Sequence, residues 1–200
     1  MPFSRLLIAT KNADKIIEIR DLLADIPVEI ITMHDISDLP DVDEDQPTLE
    51  GNAIKKATAF FQATGLPSLA DDTGLEVDAL DGAPGVHSAR FAGARATYTE
   101  NVDKLLSDMK TIPQMQRTAQ FRTVMALATA DAVETVDGEC KGEILQARRG
   151  EHGFGYDPVF FVPEENMTFA EMPLEIKNQI SHRGLALLKI KDLLASKIGA

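Results

Sequence analysis

Leu6-Leu7-Ile8-Ala9-Thr10-Lys11-Asn12-Ala13-Asp14-Lys15-Ile16 is the stretch that decides the fold class. The apolar run from Leu6 to Ala9 has the length of a buried strand, and it breaks at Thr10-Lys11-Asn12. Beyond the break, Ile16, Ile19, Leu22, Leu23 and Ile26 recur at helical spacing and stop before Pro27. Val28 to Thr32 reads as a second strand. An acidic loop with Pro40 and Pro47 then leads to a helix over Leu49–Thr64, closed by Gly65 and Pro67. Strand, helix, strand, helix at this spacing predicts an α/β fold.

Further along, Ser68 to Asp71 reads as a short strand, and Leu75 to Leu80 alternates after an expected turn at Thr73-Gly74. Residues 81–95 are rich in Gly and Ala and read as a loop, followed by a helix over Glu100–Lys110. Arg117–Ala130 and Glu139–Arg148 flank Asp137-Gly138, a dipeptide that favours a hairpin turn. Pro158–Val162 is another strand. Ser181 opens a closing helix through Ile198, with Leu185, Leu188, Leu193 and Leu194 as its apolar face. The expected architecture is a mixed sheet with two lobes around a cleft, forming one domain over residues 1–200.

Composition narrows the function. The chain has 200 residues, of which 44% are apolar and 26% charged, enough for a sizeable core without disulfides. Twenty Lys and Arg against 32 Asp and Glu leave a net charge of −12, which argues against nucleic acid as a partner. No apolar run approaches the roughly 18 residues that span a bilayer, so no membrane partner is expected. The apolar stretch within Met1–Lys11 is too short for a signal peptide. A single cysteine, Cys140, fits a reducing, cytoplasmic setting. Ten acidic residues and no Lys or Arg lie between Asp21 and Ile54. They are either a solvated face or the source of one or two metal-holding carboxylates.

Four places break local rules. Asn12 is a good N-cap, which puts Lys15 at the third helical position, where a cation opposes the helix dipole. With Lys11 beside it, that helix end could hold a phosphate. The closing helix repeats the pattern: Ser181 caps it, His182 and Arg183 fall in its first turn, and Lys177 lies just upstream. Two misplaced cationic turns in one chain point to a shared polyanionic ligand. Ala70-Asp71-Asp72-Thr73-Gly74 sets two carboxylates on opposite sides of a strand, either for a metal or for an Asx-type turn. Gly150-Glu151-His152-Gly153-Phe154-Gly155-Tyr156-Asp157-Pro158 frees the backbone around Phe154, either as a stacking face for a base or as a tight turn with a core aromatic.

Other chemistries are absent. The chain has no Gly-x-x-x-x-Gly-Lys-Ser/Thr loop, no Gly-x-Ser-x-Gly elbow and no His-Glu-x-x-His helix. His34, His87, His152 and His182 lack zinc-ligand spacing, and Cys140 sits in an expected strand as a core thiol.

Six ordered motifs then act together: Ala9-Thr10-Lys11-Asn12-Ala13-Asp14-Lys15, Asn52-Ala53-Ile54-Lys55-Lys56-Ala57, Leu69-Ala70-Asp71-Asp72-Thr73-Gly74-Leu75, Gly82-Ala83-Pro84-Gly85-Val86-His87-Ser88-Ala89-Arg90, Phe154-Gly155-Tyr156-Asp157-Pro158, and Ile180-Ser181-His182-Arg183-Gly184 with Ala186. From residue 6 to about 195 the chain resembles the inosine/xanthosine triphosphate pyrophosphatase family. The resemblance implies a long central mixed sheet, a nucleotide in the cleft between two lobes, and a homodimer. It also implies Mg²⁺-dependent hydrolysis of ITP, dITP or XTP to the monophosphate and pyrophosphate. Thr10, Asn12 and Lys15, with Lys11, Ala13 and Asp14 in the same stretch, would hold the triphosphate, and Asn52 and Lys56 would line that end.

Asp72 matches the family's general base and metal partner, and Glu44, within Asp43-Glu44-Asp45, matches an acidic metal-site residue. Thr73 would contact substrate beside Asp72. Phe154, Gly155, Tyr156, Asp157, Lys177, His182 and Arg183 would hold the base. Gly51 departs from the family, where many members carry Glu, and should loosen that helix start by roughly 0.5–1 kcal/mol. The rival reading is a nucleotide-binding sensor, or a pyrophosphatase for another modified nucleotide on the same fold. A sensor would be expected to lose the acidic set, and Glu44, Asp71 and Asp72 are all present.

Overall fold

A computed structural model describes residues 3–198. Met1, Pro2, Gly199 and Ala200 lie outside the described residues, and with them the outer limits of the expected 1–200 domain and the first two residues of the N-terminal stretch. The expected α/β elements are present. Strand β1 (Arg5–Ile8), helix α1 (Ala13–Leu22), strand β2 (Glu29–Thr32) and helix α2 (Leu49–Thr64) open the chain in the order the spacing predicts. They are followed by β3 (Ser68–Val77), β4 (Pro84–Gly85), α3 (Tyr98–Asp108), β5 (Thr118–Ala128) and β6 (Val133–Ile144). β7 (Phe160–Val162), β8 (Met167–Thr168), α4 (Leu174–Ile180) and α5 (His182–Lys197) close it.

The strands form one long mixed sheet in the order β2-β1-β3-β5-β6-β7-β8, with β4 paired to β3. β1 runs parallel to β2 and β3, whereas β7 is antiparallel to both β6 and β8. The chain divides into two compact units. The first holds residues up to Asp72, Thr123–Gly138 and the chain from Arg183 onward; the second holds Thr73–Arg122 and Glu139–His182. Each has its own apolar core. In the first, Leu6, Ile8, Leu69, Met125 and Leu127 meet Ile16 and Ile19 of α1 and Ala186, Leu187, Ile190 and Leu194 of α5. In the second, Val102 and Leu105 of α3 pack with Leu75, Phe121, Phe160 and Phe169.

Several local expectations are corrected. Thr73-Gly74 is no turn, because β3 runs unbroken from Ser68 to Val77. Gly74 serves that strand by its lack of a side chain: a Cβ there would lie 2.7 Å from the Gly85 carbonyl oxygen of the paired β4. Asp137-Gly138 lies inside β6, and the hairpin closes at residues 129–132, where Thr129 Oγ1 accepts from the Ala132 amide (3.3 Å). The 81–95 loop contains β4 and a single 3-10 turn at Ser88–Arg90. On α5, Leu188 is 48% exposed, and the buried face is Ala186, Leu187, Ile190 and Leu194. Helix α4 was not expected; seven residues are too few for an apolar period to register.

Candidate active site

In the first unit, functional side chains gather around the end of β1 and the middle of β3. Asn12 caps α1 as its side chain predicts: Oδ1 accepts from the amides of Asp14 (2.9 Å) and Lys15 (3.2 Å), and Thr10 Oγ1 accepts from the Asn12 amide (3.2 Å). Lys15 therefore stands at the third helical position, and its Nζ lies 2.7 Å from Asp71 Oδ2. Arg183, in the first turn of α5 and 2% exposed, pairs with Glu18 Oε2 and approaches Asp71 Oδ2 at 3.7 Å. Lys15 and Arg183, one from each cationic helix start, thus lean on one carboxylate. Asp71 and Glu18 supply negative charge that the sequence reading assigned to a ligand.

The alternation of β3 explains why the two neighbouring aspartates differ. Asp71 shares its face with Leu69, which packs against α1 and α5, whereas Asp72 points to the other side with Ala70. There it meets α2, whose buried stripe Leu49, Asn52, Ala53, Lys56, Ala57 and Phe60 contains two polar residues. Asn52 Nδ2 donates to Asp72 Oδ2 (3.0 Å), and Lys56 Nζ lies 3.4 Å from Asp72 Oδ1, 2.5 Å from Glu44 Oε1 and 2.6 Å from the Asp71 carbonyl oxygen. Gly51 has a steric reason: a Cβ there would come within 2.9 Å of Gln46 Cβ, and the Gln46 amide donates to Asn52 Oδ1 (2.9 Å). Lys11 is apart from this cluster, exposed and paired with Asp41 at 2.8 Å. Ala13 is exposed and Asp14 half-buried in the first turn of α1.

Electrostatics separate the two aspartates further. Burial alone would raise the Asp71 carboxyl, but Lys15, Arg183 and Lys56 together hold it well below the usual range. Asp72 is pushed up: burial is the main cause and Glu44 adds to it, with Lys56 and the Asn52 hydrogen bond opposing. Burial lowers Lys15 despite its pairing with Asp71. Lys56 is raised, because Asp72, Asp71 and Glu44 together outweigh its burial.

The second unit gathers a different set. Gly153 and Gly155 adopt positive φ of 72° and 61° on either side of Phe154. A Cβ on Gly153 would fall 2.1 Å from Asp157 Oδ2. That oxygen accepts from the Phe154 amide (2.9 Å) and from Lys177 Nζ (2.7 Å). Lys177, 4% exposed on α4, stands 5.2 Å from the Phe154 ring centroid. Tyr156 is buried, with its hydroxyl donating to the Ser88 carbonyl oxygen (2.9 Å). The His182 ring stacks on Phe121 at 4.5 Å. Thr73 is half-buried on β3.

Thr10, Asn12, Lys15, Asn52, Lys56, Glu44, Asp72 and Arg183 thus fall in the first unit, and Phe154, Gly155, Tyr156, Asp157, Lys177 and His182 in the second. Glu18 is the member of the first cluster that the sequence reading did not single out, whereas Asp71 was weighed with Asp72 as a metal-holding or turn carboxylate. The local signal for Glu18 is weak: it neighbours Ile16 and Ile19 on the buried side of α1.

The chain belongs to the Ham1 family, whose model matches residues 6–193. It is 50% identical over 192 residues to a dITP/XTP pyrophosphatase of Geobacter sulfurreducens, covering 96% of each chain. It is 46% identical over 195 residues to a dITP/XTP pyrophosphatase of Geobacillus kaustophilus, covering 97% of this chain and 96% of that one. Among solved structures, a HAM1 protein from Coxiella burnetii superimposes with a TM-score of 0.88 at 40% identity, over 98% of this chain and 100% of that one. The Ham1 protein of Staphylococcus aureus gives a TM-score of 0.86 at 37% identity, over 96% and 98% of the two chains.

Proposed function

We propose that this protein hydrolyses dITP, ITP and XTP to the monophosphate and pyrophosphate. The observation that carries the reading is Lys56 Nζ bridging the Glu44 and Asp72 carboxylates beside the capped helix start that bears Lys15. The triphosphate end falls to Thr10, Asn12, Lys15 and Lys56, where lysines and a helix N-terminus meet negative charge. Asp72 is the base. Its raised carboxyl pKa makes it a better proton acceptor than an exposed aspartate, while Lys56 favours the ionised form that accepts the proton.

In the reaction a water oxygen attacks the α-phosphorus, its proton passes to Asp72, and the bond to the bridging oxygen breaks to release pyrophosphate. Glu44 and Asp72 also fit Mg²⁺, which takes one or two protein carboxylates and fills its other positions with phosphate oxygens and water. Among the described residues no group of three or more His, Cys, Asp and Glu could hold an ion alone, so an ion on these carboxylates would rely on phosphate oxygens and water for its remaining positions. Mg²⁺, when bound there, would neutralise charge developing on the phosphoryl oxygens.

The base end falls to Phe154, Lys177 and His182. Lys177 offers only donors, which suits the 6-oxo acceptor of hypoxanthine and xanthine and mismatches the 6-amino group of adenine. A buried donor that faces another donor instead of an acceptor costs about 1–3 kcal/mol, so the Lys177 mismatch gives roughly a 10- to 10²-fold preference for ITP over ATP. Product analysis with ITP, XTP and ATP, with Mg²⁺ and with EDTA, tests the reading. Pyrophosphate should be the first product and EDTA should abolish its release. Orthophosphate released alone, or equal efficiency on ITP and ATP, would overturn it.

A further inference from the structure

Tyr98 is the first residue of α3, and it is an exposed large aromatic (45%) that forms no part of the second unit's core. The helix start that carries it is held in place. Thr97 caps the helix in a reciprocal box: Thr97 Oγ1 accepts from the Glu100 amide (3.2 Å), and Glu100 Oε2 accepts from the Thr97 amide (2.7 Å). Val102 and Leu105, 2% and 0% exposed, anchor the same helix in the core. From that fixed base the Tyr98 ring lies 5.8 Å from the Phe154 ring, tilted by 40°.

Phe154 needs such a neighbour. It sits between two glycines with positive φ, a backbone with many accessible conformations, and its own side chain is only half-buried. Asp157 holds its amide, and the Lys177 ammonium, itself tied to Asp157, stands over its ring. Those contacts fix the main chain and one side of the ring. Tyr98 adds a ring-to-ring contact from a rigid helix, in the tilted geometry that aromatic pairs favour.

We propose that Tyr98 is a positioning residue for the purine base: it braces the Phe154 ring in the orientation that receives the base, without touching the triphosphate. This rests on the reading of Phe154 as a base contact. Ordering a ring before the ligand arrives removes that cost from binding, so the effect belongs in KM rather than in kcat.

The test uses the full chain and four variants: Tyr98→Ala, Tyr98→Phe, Phe154→Leu and the double variant Tyr98→Ala/Phe154→Leu. Tyr98→Ala should raise KM for dITP by about 3- to 10-fold, the size of one aromatic pair, with kcat within about two-fold. Tyr98→Phe should restore KM, because the ring and not the hydroxyl does the bracing. In the Phe154→Leu background, Tyr98→Ala should add nothing further. Inhibition by inorganic tripolyphosphate, which has no base, should be the same in wild type and Tyr98→Ala.

A Tyr98→Ala enzyme with wild-type KM, while Phe154→Leu raises KM, would overturn the bracing role and leave Phe154 in place as a base contact. Wild-type KM in Phe154→Leu would overturn the base-contact reading and the bracing role with it. Equal weakening of tripolyphosphate and dITP by Tyr98→Ala would place the effect away from the base and also overturn the proposal.

Discussion

The two units of this protein solve the same problem, burying charge, by different means. In the first, Lys15, Lys56 and Arg183 interleave with Glu18, Glu44, Asp71 and Asp72: Lys56 pairs with Glu44 and Asp72, Arg183 with Glu18 and Asp71, and Asp71 with Lys15 as well. In the second, Arg117 is buried on the carbonyl oxygens of Met109, Ile144 and Leu145, and the pair Lys177–Asp157 stands among the rings of Phe154, Phe169 and, further along the aromatic row, Phe121 and His182. A dense field of charges can receive a ligand rich in oxygen and negative charge, since its members can exchange one partner for another. A single locked pair beside aromatic faces reads a flat, heteroatom-bearing ring. On the proposed function, the difference between the units would be a division of labour between phosphate chemistry and base recognition, and it can be broken experimentally.

The largest effect should come from the first unit. Asp72→Asn keeps the size of the side chain but removes the proton acceptor, so kcat should fall by about 10²-fold or more. The melting temperature should change little, because the amide can still accept from Asn52 and packs in the same space. Turnover at the wild-type rate on ITP would remove Asp72 from the chemistry and undo the contrast between the units.

Next comes Glu18→Gln. Arg183 would lose the Glu18 carboxylate while staying buried, with Asp71 farther away at 3.7 Å. Breaking a buried pair in this way costs about 3 kcal/mol, which is roughly 6–12 °C in a domain of this size. Thermal denaturation monitored by calorimetry or circular dichroism gives the answer, and an unchanged melting temperature would show that the network is not holding α1 to α5.

Selectivity sharpens the comparison. The family resemblance gives Arg183 to the base, whereas its partners here are the carboxylates of the first unit. Lys177→Met should reduce the ITP-over-ATP preference in kcat/KM by about 10-fold, the worth of one buried donor. Arg183→Lys should lose stability more than selectivity, because a lysine cannot serve Glu18 and Asp71 with one planar fork. Loss of selectivity in Arg183→Lys with unchanged stability would return that residue to the base.

The smallest effects are in pH. Asp72 must be ionised to accept a proton, and its raised pKa places the acid limb of kcat above the ordinary carboxylate value of about 4. Removing Lys56, which opposes the rise, should move that limb to higher pH in Lys56→Met. For stability the two aspartates act with opposite sign. The depressed Asp71 stabilises the fold above the unfolded pKa, and this contribution is lost as pH falls through its lower folded value. The raised Asp72 stabilises the fold below the unfolded pKa, and this contribution is lost as pH rises through its higher folded value. Coincident titration of both by carbon-13 carboxyl NMR would contradict this split.

Legibility in the sequence followed the range of the forces involved. Helix α2 is predicted over Leu49–Thr64 and found there, because its stop at Gly65 and Pro67 is local to it. The Asn12 cap and the position of Lys15 are likewise read from three adjacent residues. Thr73-Gly74 and Asp137-Gly138 misled because a turn dipeptide states only what the backbone can do. Strand pairing, with Gly85 against Leu75 in the first case, overrode it.

By itself, then, the sequence determined the α/β order, the family, the capped helix start and the identity of the charged residues, since these depend on local pattern and motif. Only the tertiary structure decided which charges meet. It set Asp71 against Lys15 and Arg183 and Asp72 against Lys56, because the faces of β3 are assigned by what packs on them. It also paired Glu18 with Arg183, residues 165 positions apart in the chain. Ion pairing over such a separation leaves no periodic trace in either segment, so folding alone reveals it.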